Sequence, residues 1–298
     1  MALFSSYIIS FITYFLLPII PVSILYFLGL IDSKIGLVIC TGLSVLLGDA
    51  NYYFFDKLYI RKISKKIYDV KFPEEVPKVI IKSIATKIFY ILSISVFYNT
   101  LILKEIIISD FDLTKAALAF LICFIVVDFA FWLSHHLFHV YKGLYKKTHV
   151  FHHQSALTRP ESYHKFLLSE HLFIGTILFT VSISVKFIFG IDLSVIDQSY
   201  IVGYIFFLYF LEHYGMLTHS NHEFISPKLL KVFPFNIITT PCHHAMHHAR
   251  FHENTSQLTR FWEKCFTKTE SKDYHKIHEK IWSGSPLKSF KENLNDYK

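Results

Sequence analysis

Long apolar stretches dominate this chain and limit the folds open to it. Hydrophobic residues make up 52% of its 298 residues. A helix needs about 20 apolar residues to cross the hydrocarbon core of a bilayer. Stretches of about that length with little or no charge predict six transmembrane helices, of which the second is the weakest: Ser6–Ile31, Ile35–Phe55, Lys87–Ile108, Ala116–Val140, Phe166–Gly190 and Ser199–Leu217. The sequence therefore predicts an all-α integral membrane protein.

Basic residues predict how these helices are oriented. Six helices taken in order form three hairpins, so the loops between hairpins lie on one side of the membrane. Those loops, Asp56–Thr86 and Tyr141–Lys165, and the segment after Leu217 hold most of the lysines and arginines. Basic residues favour the cytoplasmic side. We predict a multi-pass protein of a bacterial inner membrane or the endoplasmic reticulum, with these segments in the cytoplasm. A nucleic-acid partner is not predicted, because no motif accompanies the net charge of +7.

Histidines are the second unusual feature, because all 18 lie at or after residue 135 and most are grouped. Residues three or four apart lie on one face of a helix, so each group is expected to present its imidazoles in one direction. Such grouping is typical of metal sites. The predicted ligands are His135, His139, His149, His152, His153, His219, His244, His247 and His248.

The predicted topology brings these histidines together in a cap at the cytoplasmic membrane surface. Eight or more imidazoles exceed what one ion binds, so the sequence predicts two metal ions. Zinc sites use about three or four ligands and often cysteine. The ligand number therefore favours two iron ions with O₂ as co-substrate, although zinc in their place stays open because both metals accept imidazole. Beyond the metal centre no catalytic residue is predicted.

Four further residues are candidates for ligands or for partners of the ligands: His213, His222, His164 and Asp128. Asp128 lies seven residues before His135, on the same face of the predicted helix, and is expected either to accept a proton from that imidazole or to make a polar contact between helices. His275 and His278 are expected on the surface of a polar C-terminal tail.

Several of these residues resemble motifs of the fatty acid hydroxylase/sterol desaturase superfamily. The stretch from Asp128 through Trp132 to His135-x-x-x-His139 is similar to its first histidine box, and His149-x-x-His152-His153 to its second. Further matches follow in the family's order: Tyr163–His164–Lys165, His219–Ser220–Asn221, Pro241-x-x-His244-x-x-His247-His248 and Trp262–Glu263 to Phe266–Thr267. The sequence departs from the usual pattern by having His136 for arginine, Glu263 for aspartate and no glycine between Phe266 and Thr267.

The resemblance implies a membrane-bound di-iron oxidase that hydroxylates or desaturates a fatty-acyl, sterol or related lipid in lipid biosynthesis. Electrons would come from a separate donor of the ferredoxin or cytochrome b5 type. The domains are predicted as residues 1–115, with transmembrane helices and a basic loop, residues 116–268, the catalytic domain, and residues 269–298, the polar tail. Two alternatives stay open: a zinc-dependent membrane hydrolase and a non-enzymatic metal-binding membrane protein.

Overall fold

A computed structural model describes residues 61–70, 111–188 and 195–289, together with short pieces at 39, 42–43, 46–47, 50, 52–53, 88, 105–107 and 292. The described helices are α1 (Arg61–Ile63), α2 (Leu113–Val140), α3 (Lys142–Lys147), α4 (Val150–His153), α5 (Leu168–Ile188), α6 (Gln198–Thr218), α7 (Pro241–Arg250) and α8 (Tyr274–Trp282). The strands are β1 (Lys65–Lys66), β2 (Glu105–Ile107), β3 (Val195–Asp197) and β4 (His222–Glu223). Single 3₁₀ turns lie at Pro160–Ser162 and Leu229–Lys231, and a π-helical turn at Glu263–Thr267.

The long helix α2 corresponds to the fourth predicted span. Its first turn is capped by Asp112, whose carboxylate accepts hydrogen bonds from the backbone N–H groups of Thr114 (2.8 Å) and Lys115 (3.2 Å). Such a cap satisfies N–H groups that have no partner inside the helix. Among the described residues, α2 is the one helix long and apolar enough to cross a membrane.

The other predicted spans are described to different extents. Helices α5 and α6 cover the fifth and sixth. The first, Ser6–Ile31, lies outside the described residues, as do most of the second and third. The end of the third, predicted as helix, is strand β2, and the prediction is wrong there. Glu105, Ile106 and Ile107 pair in parallel with β3, a conformation that suits β-branched isoleucine.

Helices α2 and α6 approach each other closely at Gly203. A Cβ atom on this glycine would lie 2.3 Å from the backbone oxygen of Ala116. The missing side chain therefore allows the two backbones to come together. Above this contact α6 is almost wholly buried, with Phe207 and Leu208 fully inaccessible to solvent. The packed pair of α2 and α6 therefore forms the centre of the described fold.

The C-terminal segment completes the core, which corrects the prediction of a polar tail over residues 269–298. Helix α8 buries Tyr274, Ile277 and Ile281 completely. His278 is also fully buried, with its Nε2 3.6 Å from the Glu223 carboxylate. The apolar residues of α8 recur at three- and four-residue spacing, which directs one face of a mixed-charge helix into the core.

Candidate metal centre

Helix α2 delivers the first two histidines. His135 and His139 lie one turn apart near its end and are both buried. Their Nε2 atoms are 3.2 Å apart. The spacing of four residues places both rings on one face of the helix.

The next three histidines come from a short segment after α3. His149 is the residue before α4, and His152 and His153 end that four-residue helix. All three side chains are buried. The helix is only one turn long, so its position depends on the contacts of its histidines rather than on helix propensity.

Helix α7 contributes three more histidines: His244, His247 and His248. Its start is fixed by Pro241 at the first helical position and by Thr240, whose side chain accepts a hydrogen bond from the backbone N–H of His243 (3.2 Å). The Glu223 carboxylate accepts another from the Cys242 N–H (3.0 Å). Proline and polar caps are favoured at these positions. The helix thereby begins at a defined residue and holds its histidines in register.

The structure brings all nine predicted ligands together, in two groups. The five-histidine group is His135, His139, His149, His153 and His247, and the four-histidine group is His152, His219, His244 and His248. Within each group the candidate ligand atoms lie within 4.8 Å of one another, and all nine residues are buried. His219 follows α6 and joins the second group through Nε2–Nε2 contacts with His152 (3.3 Å) and His244 (3.1 Å).

Each histidine triplet divides between the two groups, which corrects the expectation that a triplet points in one direction. His149 and His153 belong to the five-histidine group, whereas His152 belongs to the other. In α7, His244 and His248 share the four-histidine group and His247 joins the five-histidine group. Adjacent helical residues are about 100° apart around the axis, so the last two residues of each triplet diverge. The two groups are therefore neighbours, since both triplets contribute to each.

The spacing of the ring nitrogens fits metal coordination. Neighbouring Nε2 atoms in the five-histidine group are 2.8–3.2 Å apart. Imidazole nitrogen lies about 2.0–2.1 Å from a metal such as zinc, so two ligands at right angles are ~3.0 Å apart and two at a tetrahedral angle ~3.4 Å apart. The five nitrogens thus have the separation of ligands around a five- or six-coordinate ion.

Backbone carbonyls fix the proton positions on several rings. Nδ1 of His135 lies 2.7 Å from the Thr255 carbonyl oxygen, and Nδ1 of His247 lies 2.8 Å from that of Glu253. A carbonyl only accepts, so Nδ1 donates and the Nε2 of each neutral ring carries a lone pair. In the four-histidine group the carbonyls of Gly215 and Ser155 accept from His219 and His248 in the same way.

These proton positions create a contact that requires a cation. The Nε2 atoms of His135 and His247 are 3.1 Å apart, and both carry lone pairs that repel each other. Burial, with the charges of neighbouring histidines, lowers the pKa of His247 well below its ordinary value, so protonation does not relieve the repulsion. A metal ion bound by both nitrogens does. The residues present therefore fit a metal ion at this position.

Glu170 adds a carboxylate partner to the same group. Its Oε1 lies 2.5 Å from Nδ1 of His149, and both side chains are buried. Oε1 accepts the Nδ1 proton, which leaves the lone pair of Nε2 directed toward the His135 Nε2, 2.8 Å away. Burial lowers the pKa of His149 well below its ordinary value. Three converging lone pairs therefore face the centre of the five-histidine group.

Glu263 holds the loop that supplies the Thr255 carbonyl. Its buried carboxylate accepts hydrogen bonds from the Thr255 backbone N–H (2.9 Å) and the Thr269 hydroxyl (2.6 Å). Burial by itself would raise the pKa of Glu263, but hydrogen bonding and charge from His243 outweigh it and lower the pKa to about 2. The ionised carboxylate fixes the loop and, through Thr255, the ring of His135.

Asp128 has a different role from the predicted one. Its carboxylate accepts from the backbone N–H (2.9 Å) and the hydroxyl of Thr259, and not from His135, whose Nδ1 faces Thr255. The seven-residue spacing puts Asp128 on the face of His135 but about 10 Å further along the helix axis, beyond hydrogen-bonding reach. Asp128 instead ties α2 to the loop before the π-helical turn.

Three other candidate ligands lie outside both groups. His164 has its Nε2 2.9 Å from the Glu212 carboxylate. His213 stacks with Tyr209, with ring centroids 6.3 Å apart. It lies six residues before His219, which places it on another face of the helical turn. The Nδ1 of His222 is 3.1 Å from the Ser64 hydroxyl. None of the three therefore joins the candidate ligands of either group.

A cavity adjoins the histidine groups on the side of α5 and α6. Histidines of both groups line one end: His135, His149, His152 and His219. Apolar side chains line another part: Phe131, Phe138, Phe173, Ile174 and Leu211. The apolar lining comes from α2, α5 and α6, the three helices that cover predicted spans. The same cavity is therefore lined by candidate metal ligands and by apolar side chains.

Sequence reasoning reaches only part of the second layer of the site, the residues that contact the ligands. Glu170 offers a detectable feature, a carboxylate near the end of an apolar stretch, because such groups are costly unless partnered. The carbonyl acceptors at Ser155, Gly215, Glu253 and Thr255 leave no trace in the sequence, since every residue has a carbonyl. They are found only from the fold.

Comparison with known proteins points to one family. Residues 120–268, half of the chain, match the family model described as fatty acid hydroxylase. The chain is 29% identical over 161 residues to very-long-chain aldehyde decarbonylase GL1-4 of Oryza sativa, covering 53% of this chain and 24% of that protein. It is also 29% identical over 159 residues to very-long-chain aldehyde decarbonylase CER1 of Arabidopsis thaliana, covering 52% and 24%. The aligned part thus spans about a quarter of these relatives. No solved structure matches the chain.

Proposed function

The chain belongs to the fatty acid hydroxylase family, and from this premise we propose that it is a membrane-bound, di-iron, O₂-dependent lipid oxidase. The family match confirms the resemblance seen in the sequence. The proposed reaction is hydroxylation or desaturation of a C–H bond in a lipid chain. In this proposal the protein crosses the membrane several times, and the basic segments and the histidine groups lie on its cytoplasmic side.

The facing lone pairs of His135 and His247 carry this proposal. Together with the 2.8 Å contact to His149 they support a bound cation. Nine neutral imidazoles in two groups support two ions. Bound iron would supply the redox chemistry that O₂ activation needs, and nitrogen ligands are compatible with iron.

The chain's own residues position and protect the site. Carbonyl oxygens and Glu170 orient the rings, while burial keeps water from the histidines. The apolar part of the cavity supports a lipid chain as substrate, because aromatic and aliphatic side chains bury apolar surface favourably. Because the relatives are very-long-chain aldehyde decarbonylases, very-long-chain aldehydes are the first substrates to test, alongside fatty-acyl and sterol lipids.

The overall reaction requires external electrons. Hydroxylation converts C–H to C–OH while O₂, two electrons and two protons are consumed and one water is released. Desaturation removes two hydrogens and releases two waters for the same input. A separate one-electron donor of the ferredoxin or cytochrome b5 type is therefore part of the proposal.

Metal analysis is the first experiment. The protein would be purified in detergent from iron-supplemented cells and compared with His152→Ala/His247→Ala, which removes one ligand from each group. We expect about two irons per chain in the wild type and loss of both in the variant. Lipid profiling of cells expressing each protein with O₂ should then reveal an oxidised lipid in the wild type alone. A single bound zinc, or metal retained in the variant, would contradict the proposal.

A further inference from the structure

Phe251 ends α7 in a strained backbone conformation. Its φ and ψ are 52° and −46°, and the His252 N–H donates to the Arg250 carbonyl at 2.6 Å, which closes a three-residue turn. For a bulky side chain a positive φ is unfavourable, and glycine is the usual residue there. Strain of this kind persists where surrounding structure or function holds it. The position of the phenyl ring therefore needs an explanation.

The ring of Phe251 lies between the surface and the five-histidine group. It is 37% exposed, and its centroid is 4.9 Å from that of His153. Tyr145 lies beside it at 6.5 Å and contacts the rings of His139 (5.5 Å) and His153 (6.0 Å). Tyr145 is itself half-buried. At this place one layer of aromatic rings separates solvent from the candidate metal ligands.

The surrounding surface is basic and partly apolar. Lys142, Lys146 and Lys147 of α3 are exposed. Tyr141 (60% exposed) and Leu144 (38%) lie among them, and residues 141–153 contain no aspartate or glutamate. We call Tyr141–Lys147, Phe251 and His252 the α3 face. Exposed apolar groups beside a cluster of lysines are typical of a protein contact that is steered by electrostatics.

We propose that the α3 face is the docking site of an acidic one-electron donor protein, and that electrons enter the five-histidine group past the rings of Tyr145 and Phe251. This rests on the proposed function, which needs two electrons per turnover. Each docking event would oxidise the donor by one electron, which the metal ions held by the two histidine groups would accept, so two events would supply one turnover.

A donor protein explains more of the α3 face than a membrane surface does. Anionic lipid headgroups would account for the three lysines of α3. They would not account for an aromatic ring held at positive φ against a candidate metal ligand. The combination of basic charge, exposed apolar surface and direct ring contact with the ligands favours a redox protein.

Binding of an acidic [2Fe–2S] ferredoxin tests the docking site. The protein would be placed in phosphatidylcholine nanodiscs, and its affinity for oxidised ferredoxin measured at low and high salt. For Lys142→Glu/Lys146→Glu/Lys147→Glu we expect affinity to fall at least about tenfold at low salt and the salt dependence to flatten. The matched control is Lys228→Glu/Lys231→Glu/Lys276→Glu, which replaces three exposed lysines elsewhere and changes the net charge by the same amount. Its affinity for ferredoxin should fall by less than about threefold.

Two Phe251 variants separate docking from electron entry. Phe251→Gly removes the ring and accepts the positive φ, whereas Phe251→Leu keeps an apolar side chain without the aromatic ring. We expect both to slow the oxidation of reduced ferredoxin in stopped-flow measurements at saturating ferredoxin, where the rate no longer depends on the affinity of docking. Unchanged rates in both variants would overturn the assigned route.

Equal ferredoxin binding by the wild type and the α3 lysine variant would overturn the docking site. If that variant also retained less phosphatidylserine than the control during detergent exchange, the α3 face would be a headgroup-binding surface instead. Failure of the proposed function is a separate outcome, because ferredoxin binding is measured without turnover. Weakened binding with no oxidised lipid from the wild type would contradict the oxidase and leave the docking result standing.

Discussion

Glu170 shows how one buried carboxylate can set the affinity of the site. It reaches His149 from α5 and fixes the proton on Nδ1. We expect Glu170→Gln to weaken metal binding about 10- to 100-fold, the usual effect of losing such a partner. Competition with a coloured chelator measures this. Glu279→Gln, at an exposed position of α8, is the control, and equal affinity for both variants would show that Glu170 does not orient the ligand.

The buried histidines make stability depend on pH. Burial lowers the pKa of six of them well below the ordinary value: His149, His152, His153, His244, His247 and His248. Unfolded histidine takes up a proton near pH 6.5. Above that pH the rings are neutral in both states and the stability is fully present. Below it the unfolded state binds more protons, so the free energy of unfolding falls as pH falls toward the depressed folded pKa values.

The thermal midpoint of the metal-free protein should therefore decrease when the pH is lowered from about 7.5 to about 5.5, two values on either side of the unfolded pKa. Scanning fluorimetry in detergent measures it. His244→Gln removes one of the buried groups and should reduce the slope, whereas His252→Gln, at an exposed position, should leave it unchanged. A midpoint independent of pH would show that the rings are hydrated or protonated in the folded protein.

At the scale of elements, the α2–α6 contact gives a prediction with an internal control. Gly203→Ala places a Cβ 2.3 Å from the Ala116 oxygen, whereas Gly175→Ala on α5 meets no atom within 4 Å. We expect Gly203→Ala to destabilise the protein by about 1–3 kcal/mol through overpacking. Gly175→Ala should be neutral or stabilising by about 0.5–1 kcal/mol, because alanine favours helix. Chemical denaturation of both variants measures the difference, and similar stabilities would refute the close contact.

Elements were predictable from sequence where one period dominated. The apolar run that becomes α2 follows from its length and lack of charge, and the shared face of His244 and His248 in α7 from their spacing. Strand β2 could not be predicted, because two isoleucines at the end of an apolar run suit a strand as well as a helix. Only the presence of a pairing strand decides between the two conformations. Helix α8 looked like a polar tail, since its buried face holds only a few apolar residues.

At the scale of the whole molecule, metal ions should join distant segments. The two groups collect histidines from α2, from α4 and the residue before it, from the residue after α6 and from α7, over more than 100 residues of sequence. A ligand that binds only the folded state stabilises it, by ~2.7 kcal/mol at a concentration 100 times its dissociation constant. We expect chelation to lower the thermal midpoint. A midpoint unaffected by complete metal removal would show that metal binding to the histidine groups does not stabilise the fold.

Single variants should show that the two groups bind separately. His152→Ala alters the four-histidine group and His247→Ala the five-histidine group. Each is expected to retain about one metal per chain, and His252→Ala two, by elemental analysis. Loss of both metals from either single variant would instead indicate one coupled centre.

The arrangement of the whole site was only partly predictable. Sequence spacing identified the nine histidines that the fold brings together, because histidines grouped in this way are typical of metal sites. The division into five and four was hidden, since it depends on how short helices are rotated against each other. Asp128 was expected too near His135, because a shared helical face does not give the distance along the helix axis. His164 lines the same cavity as four of the ligands without joining either group.

The carbonyl groups that orient the rings have a consequence for how this protein can vary. Substitution at Ser155, Glu253 or Thr255 changes a side chain and leaves the carbonyl acceptor in place. These positions should therefore tolerate exchange, whereas a neighbouring proline or deletion that moves the backbone should not. Mutational scanning should then show that metal binding depends on the backbone path of these loops and much less on the identity of their side chains.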